Sequence, residues 1–198
     1  MGWLKLAFFM LLCSIALPAL EAQAAVAIDF DAVDATHGRV VAIGYLARFG
    51  VTLEDVTPGT LVVIDNARNF YEGRALAASS PPNVLTQINS NDPVEFTLRF
   101  DKPARSVEFT RPALLAGPTG ITFPEWKAEA LDADGNVLDQ AGEPLGSGTA
   151  YYSNVPAKKF SLQGQGISAL RFSSNNMHFA AFSAVVIDDL VLYLQADE

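Results

Sequence analysis

The sequence predicts an all-β protein, an antiparallel β-sandwich of jelly-roll type forming a single domain, and three observations predict it. Apolar and polar residues alternate over short runs, most clearly in Val94-Glu-Phe-Thr-Leu-Arg-Phe100. There Val94, Phe96, Leu98 and Phe100 share one strand face while Glu95, Thr97 and Arg99 share the other, the pattern of a strand with one face on a core. Turn-forming residues separate the runs at short intervals, and neither a heptad nor an internal repeat competes with that pattern.

The chain begins MGWLKLAFFMLLCSIALPALEAQA, with one lysine, an apolar run from Leu6 to Leu20 and a small-x-small ending at Ala22-Gln-Ala24. This is the layout of a secretory signal peptide with cleavage after Ala24, and the apolar run falls short of the roughly 20 residues needed to span a bilayer. Cys13 follows Leu12, where a lipobox needs a small residue, so lipidation is not expected. The expected layout is a leader at 1–24 and one domain at 25–198, secreted or periplasmic, with no membrane attachment after cleavage. The mature part holds no cysteine and forms no disulfide.

The mature chain opens on the β-type run AVAIDFDAV at 25–33. Residues 34–48 have room for a helical turn or two near Arg39–Arg48, opposed by Gly38, Gly44 and the β-branched Val40, Val41 and Ile43. Strands follow at Val51–Leu53, Leu61–Ile64, Val94–Phe100 and Ser106–Thr110, and Asp101-Lys-Pro103 is expected to separate the last two. Glu125–Leu131 is the next strand, closed by the tight turn Asp132-Ala-Asp-Gly-Asn136. Lys158–Leu162 and Ile167–Ser173 are expected as two strands broken at Gly164-Gln-Gly166, followed by Phe179–Phe182 and Ala184–Leu194. Loops are expected at 65–83, 111–124 and 139–156, where Gly, Pro, Ser and Asn concentrate.

Loss of the leader removes one base, Lys5, and one acid, Glu21, so the net charge stays at −9. A chain this acidic repels phosphate backbones and anionic headgroups, which excludes nucleic acid as an expected partner. Divalent cations and neutral polymers suit it better. Paired aspartates interrupt the first and last strands, Asp29 and Asp31 in one and Asp188 and Asp189 in the other. If those strands lie side by side, the carboxylates converge and structural Ca2+ becomes the expected cofactor, since calcium takes six to eight hard oxygens. Alternation puts Asp29 and Asp31 on one face and Asp188 and Asp189 on opposite faces, so at most three converge. Blunting of a sheet edge is the competing role for these charges.

A carbohydrate site needs an exposed aromatic face with amides or carboxylates beside it. Its candidate ligand-binding residues are Phe70 and Tyr71, Trp126, Tyr151 and Tyr152, and Asn175 in the Asn175-Asn-x-His178 run. The ordinary alternative for each aromatic is core packing. No catalytic constellation assembles: there is no mature cysteine, no G-x-S-x-G elbow and no H-E-x-x-H helix, and the only histidines are His37 and His178. Glu125 and Glu129 share a strand face about 13 Å apart, beyond the roughly 5–9.5 Å of glycosidase pairs. A non-enzyme is therefore expected.

Taken in order, IDFD, Tyr45-x3-Gly50-Val-Thr-Leu53, Ser80-Pro-Pro-Asn-Val-Leu85, VEFTLRFDKPARSVEF, ALDADGNVL, FSLQGQGISALRF and VVIDDLVL resemble the jelly-roll domains of secreted bacterial proteins. Many of those carry a C-terminal PEP-type sorting signal, and a more distant resemblance is to galactose-binding-like domains and carbohydrate-binding modules. The sequence ends at Tyr193-Leu-Gln-Ala-Asp-Glu198 without the Pro-Glu-Pro motif, so the resemblance implies a free exported domain. It also implies a structural calcium and an extracellular polysaccharide or glycan as partner. An extracellular structural or adhesive protein that binds a protein partner through its loops is the alternative.

Overall fold

In a computed structural model the described residues are 24–35, 40–57, 60–65, 75–77, 83–88, 94–115, 125–144, 154–174 and 185–196. Residues 1–23 of the leader, Phe70, Tyr71, Tyr151, Tyr152, Asn175, His37, His178 and the strand expected at Phe179–Phe182 lie outside them. Among the described residues no helix is long and apolar enough to cross a membrane.

The alternating runs become β1 (Ala25–Ile28), β2 (Val40–Val41), β3 (Val51–Thr57), β4 (Thr60–Asp65), β5 (Ala75–Ala77), β6 (Asn83–Ile88) and β7 (Val94–Arg111). They continue as β8 (Ala113–Leu115), β9 (Trp126–Leu131), β10 (Val137–Glu143), β11 (Asn154–Val155), β12 (Lys158–Ser174) and β13 (Val186–Leu194). Among the described residues helix is confined to α1 (Ile43–Leu46) and a 3-10 turn at Ala47–Phe49, within the stretch expected to hold a turn or two. Gly50 ends that turn at φ +70, where a side chain is disfavoured, and its carbonyl accepts from the Asp101 amide.

The fold is an all-β sandwich with antiparallel pairing, in the strand order β10-β9-β12-β7-β13-β6-β4-β2. β1 adds onto β13, β3 onto β7, and β11-β8-β5 form a small separate sheet. β13 joins the two parts of the long sheet. Val186 and Ile187 pair with β6, whereas from Asp188 onward the strand pairs with β7. The change of partner coincides with a register shift between Asp188 and Val191 and with Asp189 at φ +48, the lone non-glycine residue of positive φ among those described. A strand that switches sheets needs such a bulge, and Asp tolerates the left-handed conformation better than most residues.

The core lies under β7, β9, β12 and β13. Phe96 stacks on Phe172 at 5.0 Å between ring centres, and Phe109 meets Phe172 edge-on at 5.2 Å. Leu98, Leu162, Ile167, Leu170 and Ile28 fill the space around them, all fully buried.

Two expected strand breaks are corrected. Asp101-Lys-Pro103 does not end a strand, and Gly164-Gln-Gly166 does not separate two. β7 and β12 run through as the longest pair, with the two irregular stretches on either side of the Ile167–Ala104 pair, 164–166 before it in β12 and 101–103 before it in β7. Register shifts on both sides of Ile167 absorb the extra residues as bulges. Pro103 is tolerated because its missing N–H is not needed there, while its carbonyl accepts from the Gln195 amide at 3.0 Å. The expected loop at 139–156 likewise gives up Asp139–Glu143 to β10.

Asp132-Ala-Asp-Gly-Asn136 makes the β9–β10 hairpin turn as expected. One oxygen of the Asp132 carboxylate accepts from the Asp134 and Asn136 amides and the other from the Asn136 side chain. These hydrogen bonds, those from Asn136 first, hold the Asp132 carboxyl below its ordinary range.

Candidate functional site

A groove of about 700 Å³ lies at the end of the sheet where β9 starts, β10 finishes, β12 finishes and β7 starts. Trp126, Ala141, Gly142 and Pro144 supply its apolar wall, and its polar groups include Glu95, Glu125, Gln140, Ser173 and the cation Lys127. Register places Gly142, Lys127, Ser173 and Glu95 in one row across four neighbouring strands. Gly142 is required by close approach: a β-carbon there would lie 2.3 Å from the Trp126 carbonyl oxygen.

Trp126 holds the wall in place without offering a free ring face. It is 8% exposed, packed edge-on against Phe160 at 5.0 Å and Phe109 at 6.0 Å. Its indole Nε1 donates to Glu143 Oε2 at 3.1 Å. The same carboxylate takes a two-pronged contact from Arg111, Nε to Oε2 at 2.8 Å and an Nη2 bond to Oε1 at 3.0 Å. Arg111 is buried, and its Nη1 donates to the carbonyls of Pro112 and Pro156. An arginine so enclosed persists because its charge is paired and its donors are occupied. Of the expected sugar-contacting aromatics, Trp126 is thus an edge of the groove rather than an open stacking platform, and the others lie outside the described residues.

Beside the groove, Glu129 is 5% exposed and accepts from Lys127 at 2.6 Å and from Arg171 at 2.7 and 2.9 Å. Burial alone would raise its carboxyl, but the hydrogen bonds and charges of Lys127 and Arg171 outweigh burial and hold it below 4.5. Glu129 is therefore a bound counter-ion, and the Glu125–Glu129 glycosidase pairing fails on its partners as well as on its spacing. A depressed folded-state value makes its stabilisation complete above the unfolded carboxylate range and lost as pH falls through the folded value. The melting temperature of the unaltered protein should accordingly fall more steeply below about pH 4.5 than that of Glu129→Gln. Parallel acid profiles of the two proteins would remove this ion cluster from the account.

The expected pairing of the first and last strands is present: Ala25 faces Tyr193, and Ile28 faces Leu190. Asp29 and Asp31 thus leave β1 beside the Asp188–Asp189 corner. Their carboxylates serve backbone donors there: Asp29 accepts from the Asp31 amide, Asp31 from the Asn83 amide at 3.0 Å, and the fully buried Asp188 from the Asp189 amide at 2.9 Å. Asn83 also donates to the carbonyls of Phe30 and Val33, and the Tyr45 hydroxyl donates to the Asp29 carbonyl. Among the described residues no three of His, Cys, Asp and Glu are grouped to hold a metal, so an ion at this corner would take most of its oxygens from carbonyls and water.

Sequence reasoning missed Arg111, Gln140, Glu143 and Ser173, because it placed the first three in or beside loops. One signal was present: alternation carried through Val107 and Phe109 points Arg111 inward, and an inward arginine needs an acidic partner.

Comparison with known proteins finds no matching family model and no similar curated protein. Among solved structures, the chain is similar to the K2 cleaved adhesin domain of Lys-gingipain, with a TM-score of 0.47 and 12% identity over 74% of this chain and 89% of that one. It is similar to the module CBM32-3 from a family 31 glycoside hydrolase of Clostridium perfringens, with a TM-score of 0.36 and 16% identity over 72% and 91%. It is also similar to an α-L-arabinofuranosidase, with a TM-score of 0.40 and 15% identity over 71% of this chain but 22% of that one. These likenesses concern strand arrangement at low identity, and the reading that follows rests on the groove.

Proposed function

We propose that this chain is an exported, non-catalytic binding module that takes an extracellular glycan in the groove beside Trp126. The observation that carries this reading is the groove itself. Its volume of about 700 Å³ is that of a small-ligand site, and an apolar wall faces several hydrogen-bonding side chains. Its edge is also rigidly set by the Trp126–Glu143–Arg111 contacts, so little ordering is left for a ligand to impose. A screen of the full chain against immobilised neutral, acidic and amino-sugar polymers tests it. Selective binding to one class supports the reading, and binding to none turns it toward the adhesive alternative, recognition of a protein partner.

A structural calcium ion at the corner of Asp29, Asp31, Asp188 and Asp189, held by at most two of these carboxylates together with carbonyls and water, is the second element of the proposal. It is supported by the β1–β13 register and by a carboxylate buried at a strand corner. Calcium should raise the melting temperature relative to chelator, and Asp188→Asn should abolish that difference. Equal melting of the unaltered protein in both buffers removes calcium from the reading.

A further inference from the structure

The charges at the groove are unevenly committed. Among the described residues Arg111 holds Glu143, while Lys127, half-exposed in the lining, and Arg171 share the one carboxylate of Glu129. Two of the groove's acids, the exposed Glu95 and Glu125, have no ion pair among the described residues. In the row across the sheet Ser173 of β12 stands between Lys127 of β9 and Glu95 of β7, and Glu125 lies two residues before Lys127 on the same side. The two uncommitted carboxylates therefore stand apart on different strands, separated by groups that are already paired or uncharged. A ligand that spans the groove meets uncommitted negative charge at both places, and the one cation of the lining, Lys127, is engaged by Glu129.

Resting on the glycan reading above, we propose that the groove selects a cationic glycan, a polymer of deacetylated amino sugars, whose ammonium groups pair with Glu95 and Glu125. Hydroxyls of such a polymer match Gln140 and Ser173, and its ring faces match the apolar wall of Ala141, Gly142 and Pro144. Uronate or sulfate groups would face the same two carboxylates and be repelled. Each contact is exposed, so each contributes the modest energy of a surface ion pair and weakens as salt rises.

The test measures binding of the full chain to a glucosamine hexamer and to the N-acetylglucosamine hexamer of equal length, at mildly acidic pH and at low and high salt. The glucosamine hexamer should bind more tightly, with the difference shrinking in salt. Glu95→Gln and Glu125→Gln should each weaken it by about two- to fivefold and together by about tenfold, with a smaller effect on the N-acetylated hexamer. A control pair, Asp101→Asn with Asp134→Asn, removes the same charge from exposed residues at the opposite end of the sheet. It should leave affinity unchanged, and an equal loss there would assign the binding to overall charge and overturn the proposal. Equal affinity for both hexamers would overturn the cationic preference and leave the glycan reading standing. Failure to bind either hexamer overturns the preference, and failure across the wider polymer screen overturns the glycan reading as well.

Discussion

Phe109→Ala should destabilise the fold by about 4 kcal/mol, lowering the melting temperature by roughly 8–16 °C. Phe109 is fully buried and touches three other rings: Phe172 at 5.2 Å, Phe160 at 5.4 Å and Trp126 at 6.0 Å. Truncation removes the transfer free energy of one ring and leaves a cavity that β-sheet neighbours cannot close, because their backbones are fixed by pairing on both sides. It also frees one support of Trp126, so ligand binding at the groove should weaken at temperatures where the variant is still folded. Phe109→Leu, which refills most of the volume, should recover more than half of the lost stability. Denaturant melts of the three proteins decide it, and a loss below about 1 kcal/mol for Phe109→Ala would show that this residue is not the centre of the core.

Arg111→Met should cost about 3 kcal/mol, because it strands the Glu143 carboxylate and leaves the carbonyls of Pro112 and Pro156 without their donor. The cause is charge imbalance more than lost contact area. Arg111→Met combined with Glu143→Gln should therefore be more stable than Arg111→Met alone, since no charge is left unpaired and the glutamine oxygen still accepts from the Trp126 indole. If the double variant were as unstable as the single one, the pairing would have to be replaced in this account by packing of the arginine stem.

Much of this architecture was legible in the chain because two-residue alternation is a local signal. Phe96, Leu98 and Phe100 are buried and Glu95 is exposed, as their spacing in Val94–Phe100 predicts, whereas Thr97, expected on the outer face with Glu95, is buried between β3 and β12. The adjacency of β1 and β13 was also legible, from two matching apolar runs at the ends of the mature chain. Illegible were features that depend on partners distant in sequence. Pro103 and the glycines at 164 and 166 read as strand ends, since nothing local says that their irregularities would be absorbed as bulges between two long paired strands. The groove was hidden for the same reason. Arg111 and Glu143 are 32 residues apart, and each stands where a loop was expected, so only the β9–β10 hairpin and the β9–β12 pairing bring their surroundings together. Trp126 could be read from sequence either as a stacking platform or as core, and its neighbours Phe109 and Phe160, from two other strands, turn its ring into a wall.

Filling the groove separates a glycan site there from one elsewhere on the molecule. Ser173 is half-buried on its wall, and its side chain makes no hydrogen bond among the described residues, so Ser173→Trp places bulk in the groove without removing a structural contact. Binding of the full chain to the tightest glycan of the screen should then be lost at least tenfold while the melting temperature stays within a few degrees. Unchanged binding by a folded Ser173→Trp protein would contradict the assignment and place the glycan site elsewhere on the molecule.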